Sequence, residues 1–363
     1  MTALRAGVIG VGHLGKEHAR ILSGLPGVIL AGVADVNAAQ AESVARRCAT
    51  KAYADFHSLL DTIDAAVIAV PACHHHAIAG EVLRRGIPVF VEKPLASTLG
   101  QAEELLALSQ SHAALVQVGH VERFNPAFEA LQKRPLTPKY VWAERLGGYT
   151  GRCTDVGVVL DLMIHDIDLL LALVPCAVQE VKALAVSVLG GEEDMATARV
   201  VFANGCVAEL RASRLAASPS RRMQVWGPEG FASLDFAQKR LTLVQPSAEL
   251  CQHRNGHRSF DTATLARISQ DLLGRHLQML EINGDGCDPL TCELKEFVHC
   301  VQTGQRPRVT AEEGCAAVAL ASRILESIET HSWDGTASGA TGPHALAMPL
   351  MPLFQLAESS IAA

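Results

Sequence analysis

The sequence predicts an α/β protein: a doubly wound parallel sheet over residues 1–122, then an α+β domain with a largely antiparallel open sheet over residues 123–332. Three observations carry this. Apolar runs alternate with helical stretches through the first third of the chain, and a Gly-x-Gly-x-x-Gly pattern directly follows the first run. After Pro126 the texture changes to closely spaced strands. A chain of 363 residues also exceeds what one compact core usually holds, so two domains are the natural division.

In the first unit the apolar runs are Ala6–Gly10, Val28–Ala34, Ala65–Val70, Val89–Val91 and Leu115–Gly119. Helix-like segments at about Leu14–Leu22, Ala38–Arg47, His76–Arg85 and Leu99–Ser111 separate them. Strands apolar throughout and bounded by helices read as a parallel sheet buried on both faces. In the second unit a strand is expected at Tyr140–Arg145 and one continuous helix at Val156–Val174. Further strands follow near Val181–Val188, Ala196–Ala203, Val207–Ser213 and Met223–Trp226. Asn204-Gly205 between two alternating runs predicts a tight type I′ hairpin. Helices are expected near Leu290–Thr303, just after Pro289, and at Ala311–Glu329, opened by a capping box at Thr310. From Trp333 to the end, residues 333–363, small residues and proline predict a loosely ordered tail.

Composition narrows the function. With 49% hydrophobic and 19% charged residues the chain is globular, neither disordered nor fibrous. A formal net charge of −7 argues against nucleic acid or an anionic membrane surface as the main partner. No run reaches the roughly 18 apolar residues a membrane span needs, and the apolar start is too short for a signal-peptide core. The ten cysteines contain no CxxC pair, which removes zinc-ribbon and thioredoxin-type motifs. A cytoplasmic location with reduced thiols is expected.

Gly10-Val11-Gly12-His13-Leu14-Gly15 sits where a strand turns into a helix, the context in which this pattern binds a dinucleotide pyrophosphate. Alone the pattern is weak, since a plain glycine turn can show it too. Asp35, ending the next strand 20 residues after Gly15, strengthens it: a carboxylate there can accept from the ribose hydroxyls and would repel a 2′-phosphate. A Rossmann domain that binds NAD is the resulting expectation.

Glu92-Lys93-Pro94 ends a sheet strand, where open α/β sheets bind ligands. A lysine there can hydrogen-bond a substrate hydroxyl and help take its proton. The expected helix at 156–174 sets Asp161, His165 and Asp168 at i, i+4 and i+7, one polar stripe on an apolar helix. A carboxylate beside His165 would raise its pKa and orient it for acid/base work. The same pair could simply be satisfied inside a domain interface. Zinc is the weaker alternative, because no third ligand is evident, and no metal is expected. Of His74-His75-His76, at most one can reach the cofactor.

These segments resemble, in order and spacing, the glucose–fructose oxidoreductase/inositol dehydrogenase (Gfo/Idh/MocA) family. The likeness runs from Gly7 to about residue 330 and includes the glycine loop, Pro71-x-x-x-His75 and Gly86 before Val89–Pro94. Val118-Gly119-His120-Val121-Glu122-Arg123-Phe124-Asn125-Pro126 and Asp161-x-x-x-His165-x-x-Asp168 complete it. The resemblance implies metal-free hydride transfer between a sugar or cyclitol hydroxyl and NAD(P). It implies Lys93 as the active-site lysine and Asp161 with His165 as the acid/base pair. The implied cofactor set is Gly10, Gly12, His13, Leu14, Gly15, Asp35, Val70, Pro71, His75, Glu92, Lys93 and His120. One departure stands out: the family often has glycine two residues before the histidine, where this chain has Met163, so a more regular helix is expected.

Within the family, the Val118–Pro126 and Asp155–Asp168 segments look most like the nucleotide-sugar branch. That branch oxidises the 3-hydroxyl of UDP-N-acetylglucosamine, or of its uronic acid, to a ketone for later transamination towards lipid A or other surface glycans. On this likeness Arg123, Asn125 and Arg152 stand near sugar or diphosphate, beside Lys93, Asp161 and His165. The alternatives are a free-sugar or inositol dehydrogenase and, from another class, an NAD(H)-sensing protein without turnover. An open antiparallel sheet needs a cover, so a homodimer or homotetramer is expected.

Overall fold

The computed structural model describes residues 3–149, 156–189, 191–248, 250–251, 272, 275–284, 286, 288–336 and 339–345. The first sheet holds β1 (Leu4–Ile9), β2 (Val28–Ala34), β3 (Lys51–Tyr53), β4 (Ala65–Ile68), β5 (Val89–Glu92) and β6 (Val116–Gly119). They lie in the order β3-β2-β1-β4-β5-β6, every neighbour parallel. Helices α1 (Gly15–Gly24), α2 (Ala38–Arg47), α3 (Phe56–Leu60), α4 (His75–Arg84) and α5 (Leu99–Ser111) make the crossovers. Covered on both faces, β4, β5 and β6 are buried along their whole lengths, hence their uninterrupted apolar runs. Strand order reverses between β1 and β4, and the crevice beyond their carboxyl ends is where this architecture takes ligands.

After α6 (Pro126–Gln132) comes the second sheet. Its strands are β7 (Tyr140–Leu146), β8 (Val178–Val186), β9 (Met195–Phe202), β10 (Val207–Ser213), β11 (Ser220–Gly227), β12 (Gly230–Asp235), β13 (Arg240–Pro246) and β14 (Leu277–Asn283). The order is β14-β13-β12-β11-β7-β10-β9-β8, antiparallel except for the β7–β10 pair, which runs parallel. One face packs on α7 (Ile164–Leu173) and α9 (Ala311–Glu329). Alternation decides which residues point there: Val141, Ala143 and Arg145 of β7 are buried, while Tyr140, Trp142 and Glu144 face outward.

Four expectations need correction. The helix expected to be continuous over 156–174 opens with a π-helical turn, Val159–Met163, before α7 begins. Gly157 lies against the buried Glu193 carboxyl, 2.1 Å from where a Cβ would sit, and Glu193 accepts from Val159 N–H at 3.0 Å. That cap sets the entry into the wide turn. The 204–205 hairpin is not type I′, because only Gly205 has positive φ (+77°). Gly205 N–H bonds the Phe202 carbonyl and Asn204 Oδ1 accepts from Cys206 N–H, which is the three-residue loop closed by a left-handed glycine. Helix α8 (Pro289–Thr303), placed by chain order in the second domain, buries Leu294, Phe297 and Val298 against β1, α1 and Phe90 of the first. Finally, the start of the expected loose tail folds back: Trp333 Nε1–H bonds the Gly342 carbonyl, and Ser187 N–H bonds that of Pro343. Residues 346–363 lie outside the described residues.

Candidate active site

The glycine loop leaves β1 with Gly10 at φ +82°, where a Cβ would come within 2.6 Å of Val70 Cγ1. At Gly15 a Cβ would lie 1.9 Å from the Gly10 carbonyl oxygen. Both positions exclude any side chain. Gly12 instead faces open space, with nothing within 4 Å of a Cβ. Behind it α1 begins at Gly15, and the partial positive charge of that helix N-terminus favours an anion. Asp35 spans from β2 to this loop: Oδ2 accepts from Val11 N–H and Oδ1 from Asn37 N–H, each at 2.8 Å. Each carboxylate oxygen keeps a further lone pair for a ribose hydroxyl. Loop, helix terminus and carboxylate therefore fit a dinucleotide.

His13 and Leu14 are exposed on the rim of the loop, and Val70 and Pro71 leave β4 opposite it. His75 and Glu92 lie deeper. The His75 ring bonds the carbonyls of Pro94 (2.7 Å) and Val70 (3.0 Å). Glu92 is bonded by the fully buried His18 at 2.7 Å. Burial pushes the Glu92 carboxyl up, but the His18 bond and the charges of His18 and Lys93 outweigh it and hold it below its usual range.

Lys93 emerges at the carboxyl end of β5 and reaches the second domain. Its Nζ donates to Asp161 Oδ1 at 2.8 Å and to the Asp161 carbonyl at 2.7 Å. Asp161 stands on the π turn, His165 one turn later on α7. The structure thus joins Asp161 to Lys93 and not to His165; among the described residues no hydrogen bond links the two. Nor is the His165 pKa raised as expected. Burial first, then the charges of Lys93 and Arg145, hold it well below the usual histidine value. The imidazole is therefore neutral at neutral pH and able to accept a proton. His120, at the exit of β6, sets its ring edge-on to His165 with centroids 6.5 Å apart. Burial holds its pKa down too.

Two buried ion-pair groups fix this helix. Arg123 forks onto Asp168 at 2.6 and 2.9 Å. Arg145 bonds Asp166 at 3.1 and 2.9 Å and Glu122 at 2.8 Å. Burial opposes the Arg145 charge, yet the Asp166 and Glu122 carboxylates hold it more firmly than usual. Asn125 caps α6 and donates to Glu122 and to the Phe236 carbonyl. Arg123 and Asn125, expected beside the substrate, are both buried and held by these partners. Arg152 lies outside the described residues. Arg145, Glu122, Asp166 and Glu193 were not anticipated; for Arg145 the signal was parity, since it shares the inward face with Val141 and Ala143.

Residues 4–120 match the oxidoreductase family with an NAD-binding Rossmann fold, and residues 137–233 match the Gfo/Idh/MocA C-terminal domain. The UDP-N-acetylglucosamine 3-dehydrogenase of Acidithiobacillus ferrooxidans is 36% identical over 249 residues, 68% of this chain and 79% of its own. A solved structure of that enzyme superposes with a TM-score of 0.79 at 30% identity, covering 91% of this chain and 99% of the other. The scyllo-inositol 2-dehydrogenase (NAD(+)) of Bacillus subtilis is 26% identical over 337 residues, 85% of this chain and 89% of its own. The chain belongs to the Gfo/Idh/MocA family and is an NAD-dependent dehydrogenase.

Proposed function

We propose that the protein oxidises the 3-hydroxyl of UDP-N-acetylglucosamine, or of a close UDP-N-acetylhexosamine, to a 3-keto sugar. The observation that carries the chemistry is a neutral His165 beside a lysine pinned by Asp161. Lys93 donates a hydrogen bond to the reacting hydroxyl, and Asp161 aims the lysine. His165 takes the hydroxyl proton as the carbonyl forms. NAD+, when bound, would supply the acceptor for the hydride that leaves the same carbon. Gly10, Gly12, His13, Leu14, Gly15 and Asp35 would hold the cofactor, and Val70, Pro71, His75, Glu92 and His120 would complete its site. Support for the substrate class is the likeness to the Acidithiobacillus ferrooxidans enzyme over nearly that whole chain. Arg152 is assigned to the diphosphate.

A second reading, oxidation of an inositol, is favoured by the 26% identity to the scyllo-inositol enzyme. Incubation with NAD+ and UDP-N-acetylglucosamine, myo-inositol, scyllo-inositol or free glucose separates them by NADH absorbance. Turnover of an inositol and of no UDP-sugar would reject the first reading.

Two further assignments belong to this reading. The outward sheet face carries Tyr140, Trp226 and Phe231 in contact, with ring centroids 5.3 and 4.8 Å apart, and we assign it to a homodimer or homotetramer. A monomeric mass by light scattering would refute that. The eight cysteines among the described residues are free thiols, which suits the cytoplasm. No helix among the described residues is long and apolar enough to cross a membrane.

A further inference from the structure

The three carboxylates nearest His165 in sequence are all committed elsewhere. Asp161 holds Lys93, Asp166 holds Arg145 and Asp168 holds Arg123. His165 Nδ1 is nonetheless buried, with no hydrogen-bond partner among the described residues. A catalytic imidazole needs that nitrogen fixed, because the proton it carries decides whether Nε2 is free as a base. The ring set edge-on to it is His120, at 6.5 Å between centroids and 88° between planes. His120 is 1% exposed, and both its nitrogens are equally unpartnered. Three unmet ring nitrogens therefore lie on two neighbouring rings. At 6.5 Å between centroids the two rings stand too far apart for a direct hydrogen bond, so a link between them needs a bridging water.

We propose that His120 is a positioning residue, accepting through a bridging water the hydrogen bond of His165 Nδ1–H and so keeping His165 Nε2 free to take the substrate proton. This rests on the reading of His165 as the base. The surrounding charges agree with it. Lys93, Arg145, Arg221 and His120 act on His165, and Asp168, Arg123, Lys93 and Glu92 act on His120. Burial leads in both cases and keeps both rings neutral, so what must be set is a tautomer and not a charge. A neutral His120 keeps one nitrogen as an acceptor, which an imidazolium would lack.

NMR of the full chain with histidines labelled on the ring nitrogens reads the tautomer directly, with His165→Gln assigning the signal. We expect Nδ1–H on His165 in the parent enzyme and a mixture in His120→Phe. In that variant kcat falls about tenfold while substrate KM stays within about twofold, as for loss of an outer hydrogen-bond partner. His120→Gln, whose amide oxygen accepts, recovers most of kcat. Nε2–H in the parent, an unchanged tautomer in His120→Phe, or a His120→Gln no better than Phe would each overturn the proposal. Should His120→Phe not fold, the parent tautomer and the Gln variant still decide. If no sugar or cyclitol is turned over, the functional reading fails, while the tautomer populations still judge His120.

Discussion

Lys93 Nζ is bonded to both the carboxylate and the backbone carbonyl of Asp161, 68 residues further along the chain. The lysine belongs to the nucleotide-binding sheet and the aspartate to the helix of the other domain. Its aim is therefore set across the domain junction. Asp161 stands in the wide turn at Val159–Met163, where helical bonding departs from the regular α pattern.

Replacing Lys93 by Met removes the donor to the substrate hydroxyl and should lower kcat by about 10²–10⁴-fold, the usual worth of a positioned proton-transfer group. Asp161→Asn keeps an acceptor for Lys93 but not the charge, so its loss should be smaller, about tenfold. NADH affinity by fluorescence should stay near the parent value in both. A comparable loss of NADH binding would move Lys93 from catalysis to the cofactor.

Much of this arrangement is legible in sequence, for reasons that are local. Gly10, Gly12 and Gly15 sit in a strand–turn–helix context that periodicity reveals, and Asp35 follows from spacing. Lys93 is legible because a strand end is recognisable. What the sequence hides is which polar group meets which. Asp161 and His165 are neighbours on an ideal helix, but the π turn shifts Asp161 towards Lys93. Glu193, whose carboxylate accepts from Val159 N–H at the start of that turn, lies on a loop more than thirty residues away and has no periodic signature. Helix α8 misled for another reason: chain order puts it in the second domain, whereas Phe297 finds its partner in Phe90.

The Gly157–Glu193 contact gives a stability test. Alanine at 157 places a methyl group against a buried carboxyl, and overpacking of this kind costs about 1–3 kcal/mol. Glu193→Ala removes the obstruction but strips Val159 N–H of its acceptor, costing about 1 kcal/mol, as other lost caps do. Urea unfolding of both single variants and the double should show non-additivity, with the double less destabilised than the sum. Strict additivity would mean that the two residues do not meet.

Glu293 on α8 predicts an alkaline weakness. It is fully buried, neither carboxyl oxygen has a partner among the described residues, and Gln117 bonds only its backbone carbonyl. Burial, then the Glu92 charge, pushes its pKa well above the usual carboxylate value. Between the unfolded and folded values the folded chain keeps a proton that the unfolded chain has lost. Stability contributed here is complete below the usual glutamate pKa and declines as pH rises through that window. Glu293→Gln, a neutral isostere, should melt close to the parent at about pH 5 and increasingly above it towards about pH 8. A constant difference across that range would show that Glu293 is ionised in the fold.

Arg123 separates an interior role from a substrate role most sharply. Its guanidinium grips Asp168 with both partners buried, their side chains 9% and 2% exposed. Truncation to Ala leaves an uncompensated carboxylate and should cost about 3–5 kcal/mol. Lysine cannot reproduce the two-pronged geometry and should recover little of that. The double variant Arg123→Met, Asp168→Leu removes both charges and should regain most of the stability, because neither ion is then left alone. If Arg123 serves only to hold α7, the folded double variant binds UDP-N-acetylglucosamine with an unchanged KM. If it also touches the diphosphate, KM rises although stability has returned. Urea unfolding and steady-state kinetics on that one protein therefore distinguish the two roles, because the double exchange keeps the packing while removing the charge.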